Sequence, residues 1–395
     1  MRAILPAALL AAFLAVPVPV PALAQQCGGA FGAFVDGLKA EAMAQGHSRA
    51  SVDGFFRGVA RDEAVIRADR AQGFFQRPFT EFARALISAN RMQNGARNAE
   101  RHRAIFDRAE REYGASRWIL LAFWAFETDF GGYQGSFNTL NALVTLAHDC
   151  RRPELFRPQV FAALKLHERG DFDPRTMQGA WAGEIGMVQK LPADILAHGV
   201  DGDGSGRVDL RNSVPDALLS GANLLRSFGW QGGQPWLHEI VVPADLDWSL
   251  TGIDTELSVD DWQARGVRAR HGSLPAGNMR ASVILPEGRN GPAFMTFPNF
   301  RTLFEWNQSF TYVLTTAYFA TRLAGAPVFD PRNPDPGLNR DQMRELQRRL
   351  VAQGYDVGGV DGILGANTRA AVQDMQRRLG MPADAWPTME LLNRL

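Results

Sequence analysis

The sequence predicts a mainly α fold (α+β), with a small β insert near residues 240–297 and a separate three-helix unit at the C-terminus. Three observations carry this. Apolar residues recur at three- and four-residue spacing from Phe31 to Arg111 and again from Ser116 to Arg169, the period of an amphipathic helix. The texture then changes between Ile240 and Phe297 to short apolar runs punctuated by Pro and Gly, the pattern of short strands. Finally, the proline-rich stretch 324–337 sets off a tail with its own helical periodicity.

Arg2 is followed by an apolar run from Ile4 to Leu14, which Pro17, Pro19 and Pro21 interrupt before the small-x-small site Ala22-Leu-Ala24. That order predicts a cleaved secretory signal over 1–24 and a mature chain starting near Gln25. Cys27 follows Ala-Gln-Gln, which is not a lipid-attachment box, so a soluble export product without a membrane anchor is expected. Cys27 and Cys150 are the only cysteines, and in an oxidising compartment an even pair suggests one disulfide, two buried free thiols being the alternative. A length of 395 residues leaves room for two or three domains. Formal net charge is zero, so no global electrostatic attraction to nucleic acid is present.

Within the first helical block, Phe31, Phe34, Val35 and Leu38 mark one apolar face, and Asn94-Gly95 is expected to break the block. Residues 171–213 are rich in Gly and Asp and read mostly as loop. Helix returns over 214–229, where Gly221 leaves space for a close neighbour. Candidate strands are Glu239–Val242, Leu246–Leu250 and Ala281–Leu285, and helix resumes from near Arg301 to Leu323. In the tail, Met343, Leu346 and Leu350 mark one helix, Ala371, Val372, Met375 and Leu379 a second, and Leu391, Leu392 and Leu395 a short third. The expected division is therefore 1–24, 25–325, a semi-rigid linker at 326–337, and 338–395.

One residue conflicts with its surroundings. Leu120, Phe123, Trp124 and Glu127 share a helical face, which places a carboxyl group where an apolar residue belongs. Gly131 and Gly132 are expected to end that helix. Burial and the negative end of the helix dipole both raise a carboxylic pKa, and a glutamic acid kept protonated near neutrality is a general acid. A solvated or ion-paired glutamate is the competing reading. Asp129, two residues on, points elsewhere and reads as structural or solvated.

Three ordered stretches resemble the lytic murein transglycosylase B family. Phe126-Glu-Thr-Asp-Phe-Gly131 is similar to its E-T-x-[FY]-G segment. Gly179-Ala-Trp-Ala-Gly-Glu-Ile-Gly-Met-Val-Gln-Lys-Leu-Pro192 is similar to G-S-[WY]-A-G-A-M-G-x-x-Q-F-M-P. Gly291-Pro-Ala-Phe, Asn299-Phe-Arg and Trp306-Asn-Gln-Ser309 are similar to the closing G-P-A-F, N-F and [WY]-N-x-S elements. The tail resembles a small peptidoglycan-binding domain through Leu346-Gln-Arg-Arg-Leu350, Gly354-Tyr355, Asp361-Gly-Ile-Leu-Gly365, Thr368-Arg-Ala-Ala-Val372 and Met375-Gln376.

The resemblance implies a lysozyme-like core in the periplasm that cleaves the MurNAc-β-1,4-GlcNAc bond of peptidoglycan glycan strands. The muramic 6-hydroxyl attacks its own anomeric carbon and leaves a 1,6-anhydro end. It implies Glu127 as acid and then base, with no cofactor required. Gln189 and Asn307 are implied as hydrogen-bonding substrate contacts, and Trp306 and Tyr312 as aromatics lining the cleft to pack on sugar faces. Three positions depart from the pattern: Ala180 replaces serine, Glu184 a small residue and Lys190 a phenylalanine. Glu184 and Lys190 are placed to pair with each other. These changes motivate a competing reading, a wall-binding or scaffold protein of weak activity; a hydrolytic muramidase is a third.

Asp201-Gly-Asp-Gly-Ser-Gly-Arg-Val-Asp209 follows an EF-hand order, with oxygen ligands at Asp201, Asp203 and Ser205 and the carbonyl of Arg207. Asn212 stands where the bidentate glutamate is usual, and Asp216 closes the set as an acidic residue does in the family the chain resembles. A structural calcium is the expectation, a solvated Asp/Gly turn the alternative.

Overall fold

The computed structural model describes residues 27–71, 77–275 and 277–395, so the signal segment 1–24 lies outside the described residues. Helices dominate. The first block runs through Phe31–Ala44, Arg49–Phe55, Glu63–Arg70, Phe79–Leu86, Ala89–Arg101 and Arg103–Tyr113. The second comprises Arg117–Thr128, Thr139–His148 and Pro153–Arg169. These pack with Val214–Ser227, Pro298–Trp306 and Phe310–Leu323 around one large core that includes Leu38, Phe106, Phe123, Leu143, Leu218 and Phe319.

Asn94-Gly95 does not break its helix. Ala89–Arg101 runs through both residues, and the buried Gly95 faces Leu323, whose methyl would lie 2.6 Å from an added Cβ. Glycine is there for close helix approach, a signal that sequence reading takes for a turn. A helix at Pro192–His198 interrupts the stretch expected as loop. Conversely, Leu246–Leu250 is not a strand. Asp247 accepts the Ser249 N–H at 3.0 Å and sets a single 3₁₀ turn at Trp248–Leu250.

The β insert is a five-stranded antiparallel sheet in the order Leu257–Ser258, Arg280–Ile284, Phe294–Thr296, Leu237–Val241, Arg268–Ala269. Val283 and His238 both pair with Met295, which fixes the register of the three central strands. One face covers its own small core around Trp262, Val283 and Met295.

Cys27 and Cys150 form a disulfide that ties the segment before the Phe31–Ala44 helix to the end of the Thr139–His148 helix. Next to it, the buried Asp69 carboxylate is held by Arg151 and Arg152. Burial opposes ionisation there, but the two guanidinium groups win and keep the pKa below the usual carboxylate value.

The tail contains Arg340–Ala352, Ala366–Arg378 and Met389–Arg394 around Leu346, Leu350, Val372 and Leu391. The proline-rich segment before it is strapped down. Phe329 is buried in the main core, the Asp330 N–H donates to Glu239, and the Arg332 guanidinium donates to the carbonyls of Arg289 and Gly291. The tail itself is docked. Gln373 donates to the carbonyls of Trp248 and Thr251, and Arg289 pairs with Asp384. Arg369 donates to the Pro286 carbonyl with its guanidinium 4.6 Å from the centre of the Phe310 ring. Burial lowers the Arg369 pKa to about 10.

Arg369→Ala removes, between the tail and the rest of the chain, the bond to the Pro286 carbonyl and the cation–π contact with Phe310, each worth about 1 kcal/mol. It should loosen the docking and make the strap at 326–337 more susceptible to limited proteolysis. An unchanged cleavage rate would show that the other contacts hold the tail alone.

Candidate active site

Ser116 caps the Arg117–Thr128 helix by accepting the Trp118 N–H. Every residue from Ile119 to Ala125 is buried, so this is a helix buried on all sides rather than a two-faced one. It stops before the glycines. Asp129 and Phe130 take positive φ of 51° and 60°, and Gly131 follows at 84°. Arg91 holds Asp129 at 3.0 Å, which accounts for that carboxylate as structural. Thr128 donates to the Met187 carbonyl at 2.6 Å, fastening the helix end to the loop that carries Gln189.

That loop is a tight hairpin. Ile185 and Lys190 exchange backbone hydrogen bonds of 2.8 and 3.0 Å. Gly186 (φ 80°) has no space for a Cβ against Leu210, and Gln189 itself sits at φ 49°. A non-glycine residue at positive φ carries strain, and such positions gather at functional sites. The Gln189 amide donates to the Gly186 carbonyl at 2.7 Å.

Glu127 meets Trp306 and Tyr312 across the core. The indole N–H donates to Oε1 at 3.0 Å and the Tyr312 hydroxyl donates to the same oxygen at 2.6 Å. Both donors converge on one oxygen, so Oε2 is left to carry a proton. Glu127 keeps a narrow window to solvent and is packed by protein elsewhere. Desolvation raises its pKa; nearby Lys190 and the two hydrogen bonds pull it back, with a net upward shift. Tyr312, pushed well above its usual pKa by burial and by Glu127, stays a donor.

Trp306 is open on neither face: Phe123 stacks on it at 3.9 Å, and the Lys190 ammonium lies 3.0 Å from the ring centre. Trp306 and Tyr312, which the resemblance implied as aromatics lining the cleft, turn their polar atoms to the Glu127 carboxyl. Asn307 ends the Pro298–Trp306 helix, and its side-chain oxygen accepts the Ser309 N–H at 2.9 Å. Among the described residues no ion pair joins Glu184 to Lys190, because Lys190 turns to the indole. Glu184 is pushed up to about 6 by burial and by the nearby Glu127, and its Oε2 is buried without a partner. Arg91, far along the chain, which fixes the helix end, was not singled out from sequence, and Phe123, which seats Trp306, was read only as part of the apolar face. The arginine carries no local signal, and the phenylalanine reads as plain core.

Of the five residues expected at the EF-hand-like loop, the structure brings the three carboxylates together. Carboxylate oxygens of Asp201, Asp203 and Asp216 lie within 4.8 Å of one another. Asp201 also accepts the N–H groups of Gly204, Ser205 and Gly206, and Ser205 Oγ lies 3.4 Å from the Arg207 carbonyl. The buried Asp216 accepts from Gly202, Asp203 and Asp209. The loop ends at Leu210, whose carbonyl accepts the Met187 N–H.

Residues 30–321 match the family described as Transglycosylase SLT domain. The chain belongs to that family. Residues 339–395 match the family described as Putative peptidoglycan binding domain. The chain is 27% identical over 250 residues to Membrane-bound lytic murein transglycosylase B of Escherichia coli (strain K12), covering 62% of this chain and 68% of that protein. SltB3 from Pseudomonas aeruginosa, solved in complex with NAG-anhNAM-pentapeptide, is 38% identical with a TM-score of 0.85, over 93% of this chain and 99% of that one. The Escherichia coli lytic transglycosylase Slt35, solved in complex with calcium, is 25% identical with a TM-score of 0.64, over 76% and 96% of the two chains.

Tyr312→Phe leaves Glu127 with one donor. Its carboxylate form is then less stabilised, so the pKa rises and the acid form persists to higher pH. The alkaline limb of the pH–rate profile should move upward and kcat should fall about tenfold, the value of one hydrogen bond to a charge. An unmoved limb would separate Tyr312 from the titration of Glu127.

Proposed function

We propose that this lytic transglycosylase cleaves the MurNAc-β-1,4-GlcNAc bond with Glu127 as the sole proton-transfer residue. Protonated Glu127 gives its Oε2 proton to the leaving glycosidic oxygen. The resulting carboxylate then takes the proton from the muramic 6-hydroxyl as that oxygen closes on the anomeric carbon. The nucleophile belongs to the substrate, so no second carboxylate is needed. The observation that carries this is the pair of donors on Oε1, which steadies the carboxylate while burial keeps the resting group protonated. Gln189 and Asn307 are the proposed contacts to sugar hydroxyl or acetamido groups. The complex of SltB3 with an anhydro-muramoyl pentapeptide supports the same product class.

The predicted signal and the disulfide support export to the periplasm. No described helix is long and apolar enough to cross a membrane. The domain division proposed is 25–325 for catalysis, 326–337 as a strap and 338–395 for wall binding.

The decisive experiment is mass spectrometry of soluble products from purified sacculi treated with the mature chain and with Glu127→Gln. Anhydro-ended muropeptides from the wild type alone are expected. Reducing ends would mean that water attacks, with Glu184 as the first residue to examine. Binding without products would favour the scaffold reading.

The acidic loop supports a structural divalent cation. Three convergent carboxylates with a serine hydroxyl and a carbonyl nearby suit a hard ion, and the calcium-bound Slt35 relative supports the choice of metal. Its role is to brace the loop behind Leu210, and hence the Gln189 hairpin, not to take part in the chemistry. Calcium at about 100 times its Kd should stabilise the fold by about 2.7 kcal/mol relative to chelator. Identical thermal unfolding in both conditions would count against the site.

A further inference from the structure

We propose that Lys190 is a positioning residue for Glu127: its ammonium clamps Trp306 against Phe123, keeps the indole N–H on the Glu127 carboxyl, and supplies the countercharge for the carboxylate formed during the reaction. This rests on the assignment of Glu127 above. A lysine that is only 6% exposed is unusual, since burying an ammonium is costly unless something compensates it. Here the compensation is not an ion pair, because among the described residues no carboxylate lies within 4.0 Å of its nitrogen. It is the face of Trp306, 3.0 Å from ammonium to ring centre.

The clamp is closed on three sides. Phe123 stacks on the opposite face with the planes 13° apart. The far edge of the indole lies over Gly221, where an added Cβ would meet it at 3.4 Å. The remaining edge presents the N–H to Glu127. A cation over one face draws electron density from the ring and makes that N–H a better donor to a negative charge. Lys190 is held in turn by the Ile185–Lys190 backbone pair and by Pro192, which starts the next helix.

Several titratable and charged groups surround this centre. Glu127 comes from the Arg117–Thr128 helix, Glu184 from the hairpin, Asp194 from the Pro192–His198 helix and Tyr312 from the Phe310–Leu323 helix. Arg152 acts on Glu184 and Arg91 on Tyr312. Burial lowers Lys190 to about 7, against the raising influence of Glu127, Asp194 and Glu184. Lys190 neither gives nor takes the transferred proton. That proton leaves Glu127 for the glycosidic oxygen, and the one lost by the 6-hydroxyl restores it. Between the two transfers a buried carboxylate at the indole N–H edge is accompanied by a buried ammonium over the indole face. The family pattern has phenylalanine at this position, so the cation is a feature of this chain's own sequence.

The test is kcat and KM against pH on soluble uncrosslinked glycan strands for wild type, Lys190→Met, Lys190→Arg and Glu127→Gln, with thermal unfolding as the control for folding. Lys190→Met should lower kcat about tenfold with little change in KM, and should move the alkaline limb up by about one pH unit, because Glu127 loses the charge that favours its ionised form. Lys190→Arg, which keeps a cation over the indole, should hold the limb at its wild-type position. Lys190→Phe, the residue of the family pattern, replaces Lys190→Met if that variant does not fold. An unmoved limb with kcat unchanged, or a loss in KM alone, would overturn the proposal. If Glu127→Gln is inactive while Lys190→Met keeps the wild-type profile, only the role of Lys190 fails. If Glu127→Gln turns over normally, the assignment of Glu127 fails first.

Discussion

The carboxyl group of Glu127 sits on a helix packed from all sides, and the cost of ionising it there governs the arrangement around it. Burial alone would keep the group protonated throughout and make it useless as a base. Two neutral donors on Oε1 and one buried cation nearby pull in the opposite direction without ion-pairing the group outright. A direct salt bridge would fix the carboxylate and abolish the acid. The balance suits a residue that must serve in both states within one turnover.

This balance requires accurate placement, and the fold supplies it from distant parts of the chain. Trp306 and Tyr312 lie on either side of the break between the Pro298–Trp306 and Phe310–Leu323 helices. That break lets the chain present an indole and a phenol to one oxygen. The hairpin carrying Gln189 and Lys190 is fastened to the Glu127 helix through Thr128 and to the acidic loop through Leu210. The tail adds a further brace. Arg369 lies over Phe310, the first residue of the helix that carries Tyr312, so the wall-binding unit touches the frame of the site.

Much of this was legible in the sequence, because it depends on periodicity and local chemistry. The helical blocks, the β insert and the three tail helices follow from spacing that tertiary packing does not override. Glu127 was visible as a charge in an apolar run, and the disulfide as a lone pair of cysteines behind a signal-like N-terminus. Gly95 was misread because a helix-packing glycine and a turn glycine look alike until the Leu323 side chain opposite it is known. Leu246–Leu250 has strand-like composition, but Asp247 turns the backbone through a bond that composition does not encode. The strap at 326–337 reads as a linker because prolines do not reveal that Phe329 is buried in the main core.

The three departures from the family pattern gain meaning from geometry that spacing could not provide. Glu184 and Lys190 are close enough in sequence to suggest an ion pair, yet the hairpin separates their charged ends and sends the lysine to the indole. Glu184 is then left with an oxygen that is buried and unpartnered, a state that favours its protonated form. With its pKa pushed up to about 6, Glu184 is protonated only below that pH; once ionised it opposes the Glu127 carboxylate, and Lys190 supplies the offsetting attraction. The substitutions therefore work as a set. A glutamate here without the lysine would resist formation of the base, and a lysine without Trp306 would have nothing to hold it in place. On this reasoning the altered cleft retains the electrostatic conditions for proton transfer by Glu127, which is hard to reconcile with a decayed site.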